Sequence, residues 1–403
     1  MPRTKQPPFA TIEDAMDLAH KRLPRSLFEM ICDPGHLNTR IFNEVWFRPR
    51  AAVVFEKRDL TTSVLGTEIS MPVLLACPGG VRMFHPQGEK ATAAAASRAG
   101  TIDVVAMGPG HSIEDVAAAA SGPLWKQLYM SRGREGAEEV IDRAKSAGYQ
   151  ALVVTVDVPH PPSRAVVNTR FKLSNVWRNP EAIVRPRWLT GFLRDRLKAQ
   201  FTERLTLNER LGPIPGGLPL YLRTGTFENK LAATWDDFDW LSKLWGGPIV
   251  VKGVLSGDDA RRAVGVGAAA VIVSNHYGGR GALDGFPPTL RMLPEVVAAV
   301  GGDCEVLLDC GVRRGADAVK AVALGARAVL IGRTYLWGLA AAGEAGVYRV
   351  LEIFRDQVDH TLAGIGCPSI QALDPSYVEI PASWPRWPAS AIAATDVYPG
   401  PRT

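Results

Sequence analysis

The sequence predicts one α/β domain folded as a (β/α)8 TIM barrel, on three observations. Eight short runs rich in Val, Ile and Leu recur along the chain with helical stretches between them. The runs are apolar on both faces, as strands of a buried parallel sheet are. Polar and charged residues gather at the C-terminal ends of six of them in succession, where barrel enzymes place their active sites.

In chain order, Thr11 to Asp14 reads as a capping box that opens a helix running to about Leu23 and stopped by Pro24. This helix precedes the barrel and is expected to plug or cover one end. The eight predicted strands are Pro72–Cys77, Ile102–Met107, Trp125–Met130, Leu152–Asp157, Pro248–Val254, Ala270–Asn275, Val306–Cys310 and Ala328–Gly332. Helical periodicity falls between them at Gly88–Arg98, Gly136–Ser146, Ser256–Val266 and Arg314–Leu324. A doubly wound open sheet would want a GxGxxG turn after an early strand, and none is present. The expected division is a cap segment over 1–70, a barrel over 71–366 and a proline-rich tail over 367–403. Residues 171–230 form a long excursion after the fourth strand, rich in Arg and Trp, which is expected to be lid-like. The competing role for that basic stretch is a membrane- or partner-contacting surface.

Composition narrows the function classes. The 403 residues carry 46 Lys+Arg against 41 Asp+Glu, a net charge of +5, too mild to argue for nucleic-acid binding. The five cysteines are odd in number and none form a CxxC pair, so neither a disulfide framework nor a structural zinc site is expected. No apolar h-region opens the chain and no apolar run reaches membrane-spanning length, so the expected location is the cytoplasm.

The polar strand ends carry the chemistry. Gln127 and Tyr129 end the third strand, Thr155 and Asp157 the fourth, Lys252 the fifth, and Ser274, Asn275 and His276 the sixth. After the seventh come Asp309, Gly311 and Arg313, and after the eighth Gly332 and Arg333. Glycines let backbone N–H groups approach a phosphate and arginine grips it bidentately, so these last two loops are a candidate phosphate site. The plain structural alternative is a tight turn with surface arginines, but the pattern occurs in both loops. A histidine after a strand is usually structural; beside Asp157 and Lys252 it becomes a candidate base.

From Pro72 to about Gly366 the chain resembles the flavin mononucleotide (FMN)-dependent 2-hydroxy-acid oxidases and dehydrogenases. The matching stretches include QLY at Gln127–Tyr129, TVDVP at Thr155–Pro159, VKGV at Val251–Val254 and SNH at Ser274–His276. LDG at Leu283–Gly285, the run from Asp309 to Gly315 and ALGARAVLIGR at Ala323–Arg333 also match. The resemblance implies that Gln127, Thr155 and Ser274 contact the flavin ring, with the backbone of Pro78 and Gly79 against it. Lys252 would stabilise the charge of reduced flavin. Asp309, Gly311, Arg313, Gly332 and Arg333 would hold the ribityl phosphate. His276 would be the base, oriented by Asp157. Tyr129 would bond the reacting oxygen, and Arg164 and Arg280 would clamp the substrate carboxylate. The resemblance also implies a homo-oligomer, since such relatives commonly form tetramers or octamers.

Several positions depart from the family pattern. Met30 stands where a carboxylate-binding tyrosine is usual, Cys77 opens the segment against the flavin, and Ala106 replaces a serine. Cys310 replaces the first of two glycines after the phosphate-loop aspartate, and the His motif is lengthened at Tyr277. Pro180–Leu189 and Tyr335–Val347 resemble the mycofactocin-system subgroup, which oxidises a peptide-derived precursor. The expected activity is therefore FMN-dependent oxidation of a 2-hydroxy acid to the 2-oxo product. The alternatives are oxidation of a larger amino-acid or peptide-derived substrate, and a non-redox phosphate-binding barrel.

Overall fold

The computed structural model describes residues 8–32, 37–107, 110–130, 133–158, 185–191, 232–276 and 285–384. Eight strands close into a parallel barrel: β1 (Val73–Leu75), β2 (Asp103–Val105), β3 (Leu124–Leu128), β4 (Ala151–Thr155), β5 (Ile249–Val254), β6 (Ala270–Val273), β7 (Glu305–Leu308) and β8 (Ala328–Ile331). Each pairs with its neighbour in sequence, and β8 closes the ring on β1 with Leu330 opposite Leu74. All eight predicted strands are present, and seven of them end one or two residues before the predicted C-terminal bound, while Gln127, Thr155 and Lys252 remain in the ladder.

The runs are apolar on both faces because both faces are covered. Every strand contributes to a buried interior cluster: Leu74, Val104, Trp125, Val153, Val250, Ile272, Leu307 and Leu330, with Ala151, Ala270 and Ala328 as second residues from β4, β6 and β8. The alternate residues, such as Val73, Leu128, Val154 and Val251, belong to a second cluster beneath the surrounding helices. Those helices are α1 (Gly88–Ala99), α2 (Ile113–Ala119), α3 (Gly133–Ser146), α4 (Phe238–Trp245), α5 (Gly257–Gly265), α6 (Thr289–Val300), α7 (Gly315–Ala323), α8 (Arg333–Ala342) and α9 (Glu344–Ile365). Burying a Val or Leu side chain contributes about 1.5–3 kcal/mol, so the two concentric clusters dominate stability.

The N-terminal helix occupies Ile12–Arg22 with the capping box intact: the Thr11 hydroxyl accepts from the Asp14 N–H and the Asp14 carboxylate accepts from the Thr11 N–H. It does not plug the barrel. Its buried face, Ile12, Ala15 and Ala19, joins the outer cluster. The plug is a hairpin, Thr62–Val64 with Thr67–Ile69, whose Val64 and Ile69 enter the interior cluster. Its Leu65 N–H donates to Glu305 at the start of β7, which fixes it at the end of the barrel opposite the mouth. Of the excursion after β4, residues 185–191 are described. Trp188 is buried and its indole N–H donates to the Met83 carbonyl at 3.0 Å.

Candidate active site

The mouth is built from residues that follow the inward and outward alternation to the last turn of each strand. Gln127, Thr155, Lys252 and Ser274 are all at most 5% exposed, above an interior cluster of apolar side chains. Thr155 and Lys252 are register partners on β4 and β5. Buried polar groups cost free energy unless they are bonded, and these are. The Gln127 amide donates to Thr155 Oγ1 at 3.0 Å and accepts from the Met107 N–H at 2.9 Å. Lys252 Nζ donates to Ser274 Oγ at 2.8 Å and pairs with Asp309 Oδ2 at 3.1 Å. Burial alone would lower the Lys252 pKa. The carboxylates of Asp309 and Asp157 outweigh it and hold the ammonium charged.

His276 sits just past β6 with its backbone in the left-handed region, φ 48°. Its Nδ1 lies 2.9 Å from Asp157 Oδ1 and its Nε2 lies 2.9 Å from the Tyr129 hydroxyl. A carboxylate accepts only, so Nδ1 carries a proton; in the neutral imidazole Nε2 then presents its lone pair, toward which the tyrosine hydroxyl donates. Burial would raise the Asp157 pKa. The hydrogen bond and charge of His276, with Lys252, more than offset that and keep the carboxyl below its ordinary value. Asp157 Oδ2 is buried without a hydrogen-bond partner among the described residues.

Two features missed in the sequence shape this corner. Gly253 follows Lys252 at φ 114° where the ladder between β5 and β6 shifts register. A Cβ there would lie 2.5 Å from both Cβ and Cγ of Asp157, so the glycine makes room for the aspartate. The VKGV motif contained this signal. Asn38, from the N-terminal segment, is buried and exchanges two amide hydrogen bonds with Asn275.

The phosphate-loop candidates are also brought together. Gly311 is at φ 89° with its α-carbon against the Asn38 backbone. The Arg313 guanidinium reaches Thr334 Oγ1 at 3.4 Å, so it bridges the loop after β7 and the start of α8, where Gly332 and Arg333 lie. Cys310, which replaces a glycine of the resemblance, takes a glycine's backbone, φ 72°. Its thiol donates to Asp309 Oδ1 at 2.8 Å, and burial with that carboxylate pushes its pKa up to about 12. Pro78 and Gly79 follow β1 at the same end. Arg164, Arg280 and Tyr277 lie outside the described residues.

A closed parallel barrel with an imidazole–carboxylate pair, a buried lysine and glycine–arginine loops at one mouth defines a (β/α)8-barrel enzyme. The chain matches the model of the FMN-dependent dehydrogenases over residues 20–380. It is 41% identical over 394 residues to pre-mycofactocin synthase of Mycobacterium tuberculosis, covering 94% of this chain and 96% of that protein. It is 41% identical over 349 residues to L-lactate oxidase of Nostoc sp., covering 85% and 89% respectively. Among solved structures, (S)-mandelate dehydrogenase, a monotopic membrane protein, superposes with a TM-score of 0.78 at 34% identity over 93% of this chain and 100% of that one. The chain belongs to the FMN-dependent dehydrogenase family. It is an FMN-dependent oxidoreductase, which removes the non-redox alternative. The donor set fits the cofactor: a row of buried, mutually bonded polar groups and a buried ammonium suit the polar edge of the ring, and the glycine–arginine loops suit the phosphate.

Proposed function

We propose that the protein oxidises a 2-hydroxy acid to the 2-oxo acid, with His276 as the base. The observation that carries this reading is the imidazole held between Asp157 and Tyr129 at 2.9 Å on each side, on the strand end next to Lys252. L-lactate oxidase and glycolate oxidase among the relatives support the substrate class. FMN, when bound, supplies the two-electron acceptor. The substrate loses two electrons and two protons. One proton passes to Nε2 of His276, and the Asp157 carboxylate stabilises the resulting imidazolium through Nδ1–H; the other proton and both electrons go to the acceptor. Tyr129 turns its hydroxyl hydrogen bond from Nε2 to the substrate oxygen. Gln127, Thr155 and Ser274 orient the ring, and Lys252 offsets the negative charge it gains. Arg313, Gly311, Gly332 and Arg333 would bind the phosphate, with Asp309 holding Lys252 and Cys310 in place. Pro78 and Gly79 would line the ring, and Arg164 and Arg280 would bind the substrate carboxylate. We place the enzyme in the cytoplasm as a homo-oligomer. The exposed Trp46 and Val54 support a contact between copies.

The test is anaerobic mixing of FMN-loaded protein with a panel of 2-hydroxy acids while flavin absorbance is followed. Bleaching by a 2-hydroxy acid that slows roughly 100- to 10,000-fold in His276→Gln, at unchanged flavin content, is the expected result. Bleaching by α-amino acids or peptidyl amines alone overturns the substrate class. Undiminished bleaching in His276→Gln overturns the base.

A further inference from the structure

We propose that Asn38 is a positioning residue for His276, acting through Asn275. This rests on His276 being the base.

Asn38 and Asn275 are each about 1% exposed and 237 positions apart. Asn38 Nδ2 donates to Asn275 Oδ1 at 2.9 Å, and Asn275 Nδ2 donates back to Asn38 Oδ1 at 3.0 Å. Two backbone groups fix which end of each amide is which. Pro287 O, a carbonyl that only accepts, takes a second bond from Asn275 Nδ2 at 3.1 Å. The Thr289 N–H, which only donates, gives to Asn38 Oδ1 at 3.0 Å. No flipped amide satisfies both, so the pair has one arrangement.

The network ties together the pieces that surround the base. Asn275 precedes His276, while Pro287 and Thr289 lie on the far side of 277–284. Thr289 Oγ1 in turn donates to the Asp309 carbonyl at 2.8 Å, joining the loop after β7. His276 sits at φ 48°, a conformation a non-glycine residue holds only when its surroundings over-determine it. Its own N–H, bonded to Ser274 Oγ at 3.2 Å, is one restraint. The buried amide pair is the other, and the stronger, because it anchors the preceding residue at three points. Removing the Asn38 side chain takes these bonds from the buried Asn275 oxygen and Thr289 N–H. The turn then relaxes toward an ordinary φ and swings the imidazole away from Asp157 and Tyr129. The phosphate grip is a separate matter: the Asn38 backbone, not its side chain, supplies the carbonyl beside Gly311.

The experiment compares flavin-loaded wild type, Asn38→Ala, Asn275→Ala and the double variant in anaerobic flavin reduction, with kcat and KM resolved and bound FMN measured. Asn38→Ala is expected to lower the limiting rate of flavin reduction roughly 10- to 100-fold with little change in KM and full FMN content. The double variant is expected to be no slower than the slower single variant, because the two residues act as one unit. An unchanged limiting rate with only a lowered melting temperature, or fully multiplicative losses, would overturn the proposal. If Asn38→Ala does not fold, Asn38→Asp keeps the acceptor for Thr289 and loses the donor to Asn275. It is then expected to lose rate at full FMN content, and a wild-type rate would refute the proposal. His276→Gln run alongside separates the two claims: if it still bleaches, the base assignment fails regardless of Asn38.

Discussion

Gly253→Ala isolates the steric basis of the Asp157–His276 pair. A Cβ at position 253 would lie 2.5 Å from Cβ and Cγ of Asp157, where ordinary contact begins at about 3.4 Å. The aspartate must therefore retreat by roughly 1 Å. Its bond to His276, now 2.9 Å, would stretch past the range in which a hydrogen bond counts as one. A 1 Å misplacement of a catalytic group costs about 100-fold, and complete loss of the orienting carboxylate sets a ceiling near 10,000-fold by analogy with the serine-protease aspartate. The φ of 114° adds a backbone cost of about 1–3 kcal/mol in stability. The control is Gly267→Ala, where φ is 81° but nothing lies within 4 Å of the new Cβ. Both variants are expected to lose stability. Only Gly253→Ala is expected to lose the anaerobic rate of flavin reduction, measured per bound FMN. Equal rates in the two variants would show that Asp157 does not depend on that space, and the reasoning would fail.

Burial, against the Thr92 hydrogen bond, pushes the Asp103 carboxyl up to about 7. Its stabilising share is complete below about pH 4, where the unfolded chain is also protonated. It is lost as pH rises to about 7, at a ceiling on the order of 4 kcal/mol. Asp103→Asn is thus expected to flatten the melting temperature between pH 4 and 8 and to raise it at pH 8; a lower value there would contradict this. Cys310→Gly relieves a left-handed residue at the loss of a weak thiol bond, so thermal denaturation should show a gain of about 1 kcal/mol, or about 1 °C for a chain of this length. Lys252→Met leaves the Asp309 carboxylate buried without its ion pair and is expected to cost roughly 3–5 kcal/mol. Adding Asp309→Asn should restore the melting temperature but not FMN binding.

What could be seen in the sequence depended on how far each physical cause extends along the chain. The strands were visible because a barrel strand is covered on both faces, so burial writes itself as a continuous apolar run. The Thr11–Asp14 cap was visible because both partners lie within one turn. The polar strand ends were visible because a buried Lys252 or Gln127 is anomalous among Val and Ile. The hairpin plug leaves no such trace because a short hairpin around Leu65 and Gly66 carries little periodicity, whereas the N-terminal helix carries a strong one. Asn38 had no local signal at all: its meaning lies in an amide 237 positions away. Gly253 was in plain view within VKGV, yet its role is to be absent where Asp157 needs space, which only the neighbouring strand reveals.

The distribution of backbone strain connects these observations. Among the described residues, four that are not glycine have positive φ: Ala52, Leu65, His276 and Cys310. Two of the four stand in adjacent loops at the mouth, one on the proposed base and one beside the phosphate loop. Strain of this kind costs about 1–3 kcal/mol per residue and persists only if the surroundings hold it. At Cys310 the family's glycine would avoid the cost, so the chain carries a penalty that its thiol bond to Asp309 offsets only in part. At His276 no glycine could serve, because the chemistry needs the imidazole. There the restraint must come from outside the loop, and the Asn38–Asn275 pair with Thr289 is the buried network placed to provide it. It follows that stability and rate should separate: variants at 310 should move the melting temperature and leave the rate, whereas variants at 38 and 275 should move the rate per bound flavin.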